Sequence, residues 1–272
     1  MKTFPLIAVG ILAAQTAFAQ PKSGKITYEV MQKVDLSQMR IVINGQEVRP
    51  GSPDAPAVDL PETRSFLQYF VFAGNHGKEE QDGSTGGITI RQFSPDSGPE
   101  SGPGGPEGRR SRNFSGRPFE RSVFIDLAAQ KTVEVVTIKK DSVTKHYQTE
   151  LPLNRATGWQ ESGKSKKIAG FTCQKATVAY RNVTYTVWYT TDLPFTYSPV
   201  PSLTPEKGVV LQIESDQEAY KATKIAEQNV AESDVMPPKT AQMVTPDELA
   251  LIRQKAMADM RQKVMNDFQN RN

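Results

Sequence analysis

The 272-residue sequence has one cysteine, two histidines and two tryptophans, and each scarcity removes a class of function. Cys173 alone allows no intrachain disulfide, so an oxidising compartment gives this chain no internal covalent staple. His76 and His146 are the only imidazoles, and neither has a second histidine or a cysteine at short spacing, as a metal or acid–base site uses. A serine between glycines, in Gly83-Ser84-Thr85-Gly86-Gly87, lacks the spacing of a nucleophile elbow. No Lys-Ser/Thr follows it, so it does not read as a phosphate loop. No apolar run approaches the ~20 residues that a membrane-spanning helix needs. Charge of one sign is also lacking: 33 basic against 30 acidic residues leave a formal +3, which does not indicate nucleic acid. These absences lean against an enzyme and imply no cofactor.

What is present reads as an exported β protein. Residues 1–19 carry Lys2, a short apolar core from Phe4 to Ala14, and Ala17-Phe18-Ala19, the pattern of a cleaved secretory signal. A β domain is then expected over 20–235, interrupted by a Gly/Pro/Arg-rich insert at about 94–118. That insert has almost no apolar side chains to offset the entropy of ordering, and it is expected to be disordered. Period-2 patterns or dense apolar runs predict strands at Lys25–Val30, Ser65–Phe72, Val123–Leu127, Thr132–Ile138, Ser142–Thr149 and Glu218–Ile225, with a short one at Ile88–Phe93. A hairpin over Met39–Ile43 and Gln46–Val48 turns at Asn44-Gly45. Pro50 to Pro61 and the polar stretch Asn75 to Gly87 read as loops. Residues 236–272 open with Pro237-Pro238 and continue as a helix. Thr245, Pro246 and Glu248 form its capping box, and Leu249, Ile252, Ala256, Met260, Val264 and Phe268 form its apolar stripe.

The clearest pattern lies between Lys166 and Ile213. Ala176, Val178 and Tyr180 alternate before Arg181-Asn182, and Val183, Tyr185, Val187 and Tyr189 alternate after it. With Arg181-Asn182 as a two-residue turn, Tyr180 faces Val183, Val178 faces Tyr185 and Ala176 faces Val187, all on one side of the sheet. Asn tolerates the left-handed turn conformation, whereas Arg gains nothing from it. Cys173 and Trp188 fall diagonally on the opposite side. Asp192-Leu193-Pro194 ends the strand, and a further strand follows at Val209, Leu211 and Ile213.

Lys167-Ile168-Ala169-Gly170-Phe171, Cys173-Gln174-Lys175-Ala176-Thr177, Val187-Trp188-Tyr189-Thr190 and Gly208-Val209-Val210-Leu211 resemble the GLPGLI family of exported proteins. Pro205-Glu206-Lys207 replaces the first half of the family's naming motif. The resemblance covers roughly residues 155 to 226 and implies a Gram-negative envelope protein with no catalytic residues to carry over. Ile168 to Pro194 is also similar to lipoprotein-carrier (LolA-like) β proteins. The fold expected is mainly β, about ten antiparallel strands in a curved sheet or half-barrel, with a C-terminal helix.

The leading functional expectation is a non-catalytic envelope protein in the periplasm or at the outer membrane. It would hold an apolar ligand or a protein partner on its sheet, with Tyr185, Trp188, Tyr189 and Asp192 as the ligand-binding residues. One alternative is an assembly accessory docking through the C-terminal helix. Another is copper handling, for which Cys173, Met257 and Met260 are the candidate ligands. Arg109, Arg110, Arg112, Arg117 and Arg121 suggest peripheral contact with an anionic membrane surface.

Overall fold

A computed structural model describes residues 22–34, 41–43, 46–48, 63–82, 118–140 and 142–269. The expected signal sequence at 1–19, the expected Asn44-Gly45 turn, the expected loop at 50–61, the glycine cluster at 83–87, the expected strand at 88–93 and the expected insert up to residue 117, with Arg109, Arg110, Arg112 and Arg117, lie outside the described residues. The elements are β1 (Ser23–Lys33), β2 (Ile41–Ile43), β3 (Gln46–Val48), β4 (Thr63–Ala73), β5 (His76–Gln81), β6 (Glu120–Asp126), β7 (Lys131–Lys140), β8 (Val143–Pro152), β9 (Gln160–Ile168), β10 (Phe171–Tyr180), β11 (Val183–Thr190), β12 (Val209–Glu214), β13 (Glu218–Glu227), β14 (Gln242–Met243) and the helix α1 (Pro246–Gln269).

Twelve strands form one sheet in the order β14-β8-β7-β6-β5-β4-β1-β13-β12-β11-β10-β9, and β2 pairs with β3 separately. Every pairing in the large sheet is antiparallel except the short β14–β8 contact. The register slips at Thr27/Tyr28, Gln174/Ala176 and Trp188/Tyr189. Such bulges increase local twist, and these curl the sheet about the face that carries Tyr28 and Phe70. The central hairpin has the expected register: Tyr180 pairs with Val183, Val178 with Tyr185 and Ala176 with Val187. Its turn takes φ of 49° at Arg181 and 63° at Asn182.

Three strands fall where the sequence pattern predicted none: β5, β9 and the two-residue β14. β5 (HGKEEQ) lies in the stretch expected to be a polar loop, and β9 (QESGKSKKI) has no apolar alternation. β5 is fixed by pairing on both sides, to β4 and to β6. Gly77 leaves room there for the Phe70 ring, which a Cβ at that position would strike. β9 is an edge strand, and its lysines and register irregularity are devices that discourage pairing with another chain.

Residues 191–208, which connect β11 to β12, cross the inner face and fill it. Tyr197 stacks on Phe70 with ring centroids 3.6 Å apart and 9° between planes, and Phe195 packs on Phe72 at 4.7 Å. Leu193, Tyr197 and Leu203 are buried beside Ile26, Tyr28, Val187, Leu211 and Ile213 in one core. The connection closes on itself, because Tyr197 N–H donates to the Gly208 carbonyl (3.2 Å) and Val210 N–H donates to that of Tyr197 (2.8 Å). Gly208 makes this close approach possible: its φ is +101°, and a Cβ would sit 2.5 Å from the Thr190 carbonyl oxygen.

After β13 the chain crosses the opposite face, where Glu232 meets His76 at 2.8 Å, and reaches β14 beside β8. The helix α1 then starts with the expected capping box: Thr245 N–H donates to Glu248 Oε2 (2.8 Å), and Glu248 N–H donates to Thr245 Oγ1 (3.2 Å). The Thr245 N–H, and then the Thr245 hydroxyl donating to the same Oε2 at 3.0 Å, hold the Glu248 carboxyl below its ordinary range. Leu249 and Ala256 are buried, while Ile252 and Met260 are half-buried; the side chains of Val264 and Phe268 lie outside the described ones. Glu134 on β7, only 5% exposed, accepts from Arg253 Nη1 at 2.7 Å and from Arg121 Nε at 2.9 Å. This ties α1 to the inner face of the sheet.

Candidate functional site

Beyond its filled middle, the inner face turns polar at one end, where β1 runs out and the β10–β11 and β12–β13 hairpins turn. The parity of Ile26, Tyr28 and Val30 continues to Gln32, that of Tyr220 to Glu218, and that of Phe66 to Arg64. Polar residues therefore follow apolar ones onto the same face as the strands run out of the core. The β12–β13 turn fixes Glu218: Ser215 Oγ accepts from Glu218 N–H at 3.0 Å and donates to its carbonyl at 3.1 Å. The Glu218 carboxylate then accepts from Gln32 Nε2 (3.2 Å), Tyr185 OH (3.3 Å) and Tyr220 OH (3.3 Å). Gln32 Oε1 in turn accepts from Arg64 Nε (3.1 Å) and Nη2 (2.6 Å). Burial, reinforced by Glu218, pushes the hydroxyls of Tyr185 and Tyr220 above their ordinary pKa, so both are neutral donors at physiological pH. On the far limb, Ser202 Oγ donates to Tyr180 OH at 3.0 Å, joining the plug to the rim. The result is a mouth of three tyrosines, one carboxylate, an amide and a guanidinium, mostly pre-bonded to one another. Such a network is rigid and offers donors and acceptors in fixed directions.

Of the residues expected to bind a ligand, only Tyr185 belongs to this mouth. Trp188 lies on the opposite face with Cys173, as its register implied. Lys166 Nζ stands 4.1 Å over the indole and Lys175 Nζ 6.0 Å, and the indole N–H has no acceptor among the described residues. Cys173 is fully buried, and burial pushes its thiol up to about 11. Tyr189 OH donates to Glu161 Oε1 at 2.7 Å; burial, then that carboxylate, raises it to about 12. Asp192 is exposed in the turn after β11, its N–H donating to Thr190 Oγ1 at 3.2 Å. The structure does not bring these four residues to one place.

The copper candidates are likewise on separate elements, Cys173 on β10 and Met257 and Met260 on α1. His146 Nδ1 lies 2.9 Å from Thr137 Oγ1. Among the described residues, no three His, Cys, Asp or Glu side chains gather as a metal site does. Gln32, Arg64, Glu218 and Tyr220 were missed in the sequence because polar residues at strand ends read as solvent-facing. Their shared parity with core residues was the available signal.

Inside the trough, Tyr28 OH donates to the Val210 carbonyl at 2.8 Å and Tyr197 OH to Glu79 Oε1 at 3.1 Å. Burial raises the Glu79 carboxyl to about 7, against the pull of Tyr197 and of Arg121. A cavity of about 20 Å³ remains between the plug and β6–β7, space for about one water.

The fold and site define an open, curved antiparallel β-sheet module with a plugged interior and a polar mouth. A family model described as the N-glycanase peptide, N-terminal domain, matches residues 110–261, more than half the chain, and the chain belongs to that family. Among solved structures, PNGF-II in a C2 crystal form is similar with a TM-score of 0.53 at 12% identity, over 88% of this chain and 33% of that one. The P21 form gives 0.50 at 12% identity, over 88% and 34%. At that identity the likeness is one of fold, and the chain spans about a third of the length of those structures. No curated protein matches the chain.

Proposed function

We propose that this chain is an exported, non-catalytic binding module of the cell envelope that engages glycoconjugates through the polar mouth of its sheet. The carrying observation is the Glu218 network: neutral Tyr185 and Tyr220 hydroxyls, the Gln32 amide and a carboxylate are bonded into one polar cluster at the end of the inner face. A polyhydroxylated ligand needs such paired donors and acceptors. An apolar ligand would need the interior, which residues 191–208 occupy. Membership in an N-glycanase N-terminal domain family supports both the ligand class and export. The secretory pattern at 1–19 and the GLPGLI-like residues support an envelope location as well. A second reading, an assembly accessory docking through α1, is favoured by Leu251 and Met265, exposed at 63% and 69% on that helix.

The test is retention of the purified protein on an N-glycosylated protein and on the same protein stripped of its glycans. Binding is expected only to the glycosylated form, and Glu218→Ala should weaken it about tenfold, the scale of one charged hydrogen bond. Equal retention on both forms would refute the glycan reading.

A further inference from the structure

Two arginines flank the mouth, and we infer that Arg64 and Arg181 make it select glycans bearing an oxyanion, a carboxylate or a sulfate, over neutral ones. The inference rests on reading the mouth as the glycan site. Arg64 is exposed at the start of β4; its two hydrogen bonds go to the neutral amide oxygen of Gln32, and its guanidinium lies 5.5 Å over the Phe66 ring. Arg181 is exposed at the tip of the β10–β11 hairpin, 5.1 Å over the Tyr180 ring. Neither is ion-paired to a carboxylate among the described residues. Each guanidinium is thus held by an aromatic face and keeps N–H donors to spare, a state suited to binding an anionic group in forked geometry.

Arg181 carries the sharper signal. Its φ of +49° belongs to a turn whose first position favours glycine or asparagine, and an arginine there is strained. Backbone preference therefore does not explain the residue. Its position does, since it sets a cation beside Tyr180, whose hydroxyl is joined to the plug. Between the two arginines, the β12–β13 turn sets the Glu218 carboxylate 3.3 Å from the Tyr185 hydroxyl. The carboxylate at the centre accepts from sugar hydroxyls, and cations at the flanks take the oxyanion. An acidic oligosaccharide carries both kinds of group.

The experiment compares three oligosaccharides of one core: neutral, terminally sialylated and sulfated. Binding to the full chain is measured by calorimetry at low and at moderate salt. Wild-type protein should prefer at least one acidic form by about tenfold, with the preference shrinking as salt rises. Which acidic form is preferred identifies the oxyanion. Arg181→Gly should remove most of that preference and leave neutral binding unchanged; Arg64→Gln should also remove most of it, and Arg64→Lys should retain part of it. Arg181→Gly relaxes the turn, so it should unfold no earlier than wild type, and lost preference cannot then be lost fold. Equal binding of neutral and acidic forms, or an undiminished preference in both variants, would overturn the inference while the mouth remains a glycan site. Binding of none of the three would remove the glycan reading itself.

Discussion

Glu79 is held by Tyr197 within the plugged interior, and its raised carboxyl makes stability depend on pH. Folding favours its neutral form, so the folded chain binds a proton that the unfolded chain releases between pH 4.5 and about 7. Below that window both states are protonated and the full stability is present. Stability falls as pH rises through the window, by roughly 3 kcal/mol, and stays lower above it. Glu79→Gln keeps an acceptor for Tyr197 and has no proton to lose. Thermal unfolding followed from pH 4 to 8 should therefore flatten in that variant, and a wild-type slope that persists would assign it to another group. Cys173 offers a second test at the residue scale. A fully buried thiol pushed to about 11 should react slowly with a thiol reagent in the native protein. Cys173→Ser should cost roughly 1–3 kcal/mol in denaturant unfolding, for placing a hydroxyl among apolar neighbours. Rapid native labelling would contradict this. The face of Cys173 was legible from alternation, but its burial was not, since the same face carries Thr177, Thr184 and Thr186. The Glu79 environment was not, since a carboxylate in HGKEEQ gives no local sign of lying under a distant tyrosine.

Elements with strong local signals were legible in the sequence, and those made by their neighbours were not. The β10–β11 register followed from strict period-2 alternation, and the start of α1 followed from Thr245, Pro246 and Glu248. β5 and β9 lack apolar alternation, and their strand geometry comes from ladders supplied by β4, β6 and β10. The same limit applied to the mouth, which is assembled from five strands whose polar ends carry no motif. The docking of α1 was half legible: the stripe predicts a packed face, but nothing in it names Glu134 as the anchor. Arg253→Ala should cost about 2 kcal/mol, because Glu134 is buried and loses one of its two cationic partners. Limited proteolysis should then cleave within α1 earlier than in wild type while the sheet stays intact. Unchanged proteolysis would mean that Leu249 and Ala256 hold the helix without the ion pair.

At the scale of the whole molecule, the chain supplies its own filling: Leu193, Phe195, Tyr197 and Leu203, from a connection rather than a strand, complete the core. Of this connection, only the strand end at Asp192-Leu193-Pro194 was marked in the sequence. What the following residues cover was not legible, because the Tyr197–Phe70 contact joins positions far apart in the chain. This architecture bears on residues 83–117. Their neighbours β5 and β6 are hydrogen-bonded strands, with Glu79 opposite Val123, so the two ends of the segment emerge side by side. A short Asn-Gly turn can join such strands. The family match begins only at residue 110, which leaves most of the segment outside it. From residue 94 on, its composition offers almost nothing to bury. Shortening a connection alters closure entropy slowly, by about 0.6 kcal/mol per halving, and in the stabilising direction. Replacing residues 83–117 with a short turn should therefore leave thermal stability equal or slightly higher, with the β5–β6 pairing retained. A loss above about 2 kcal/mol, large for a surface change, would mean that the segment packs against the sheet and belongs to the folded unit.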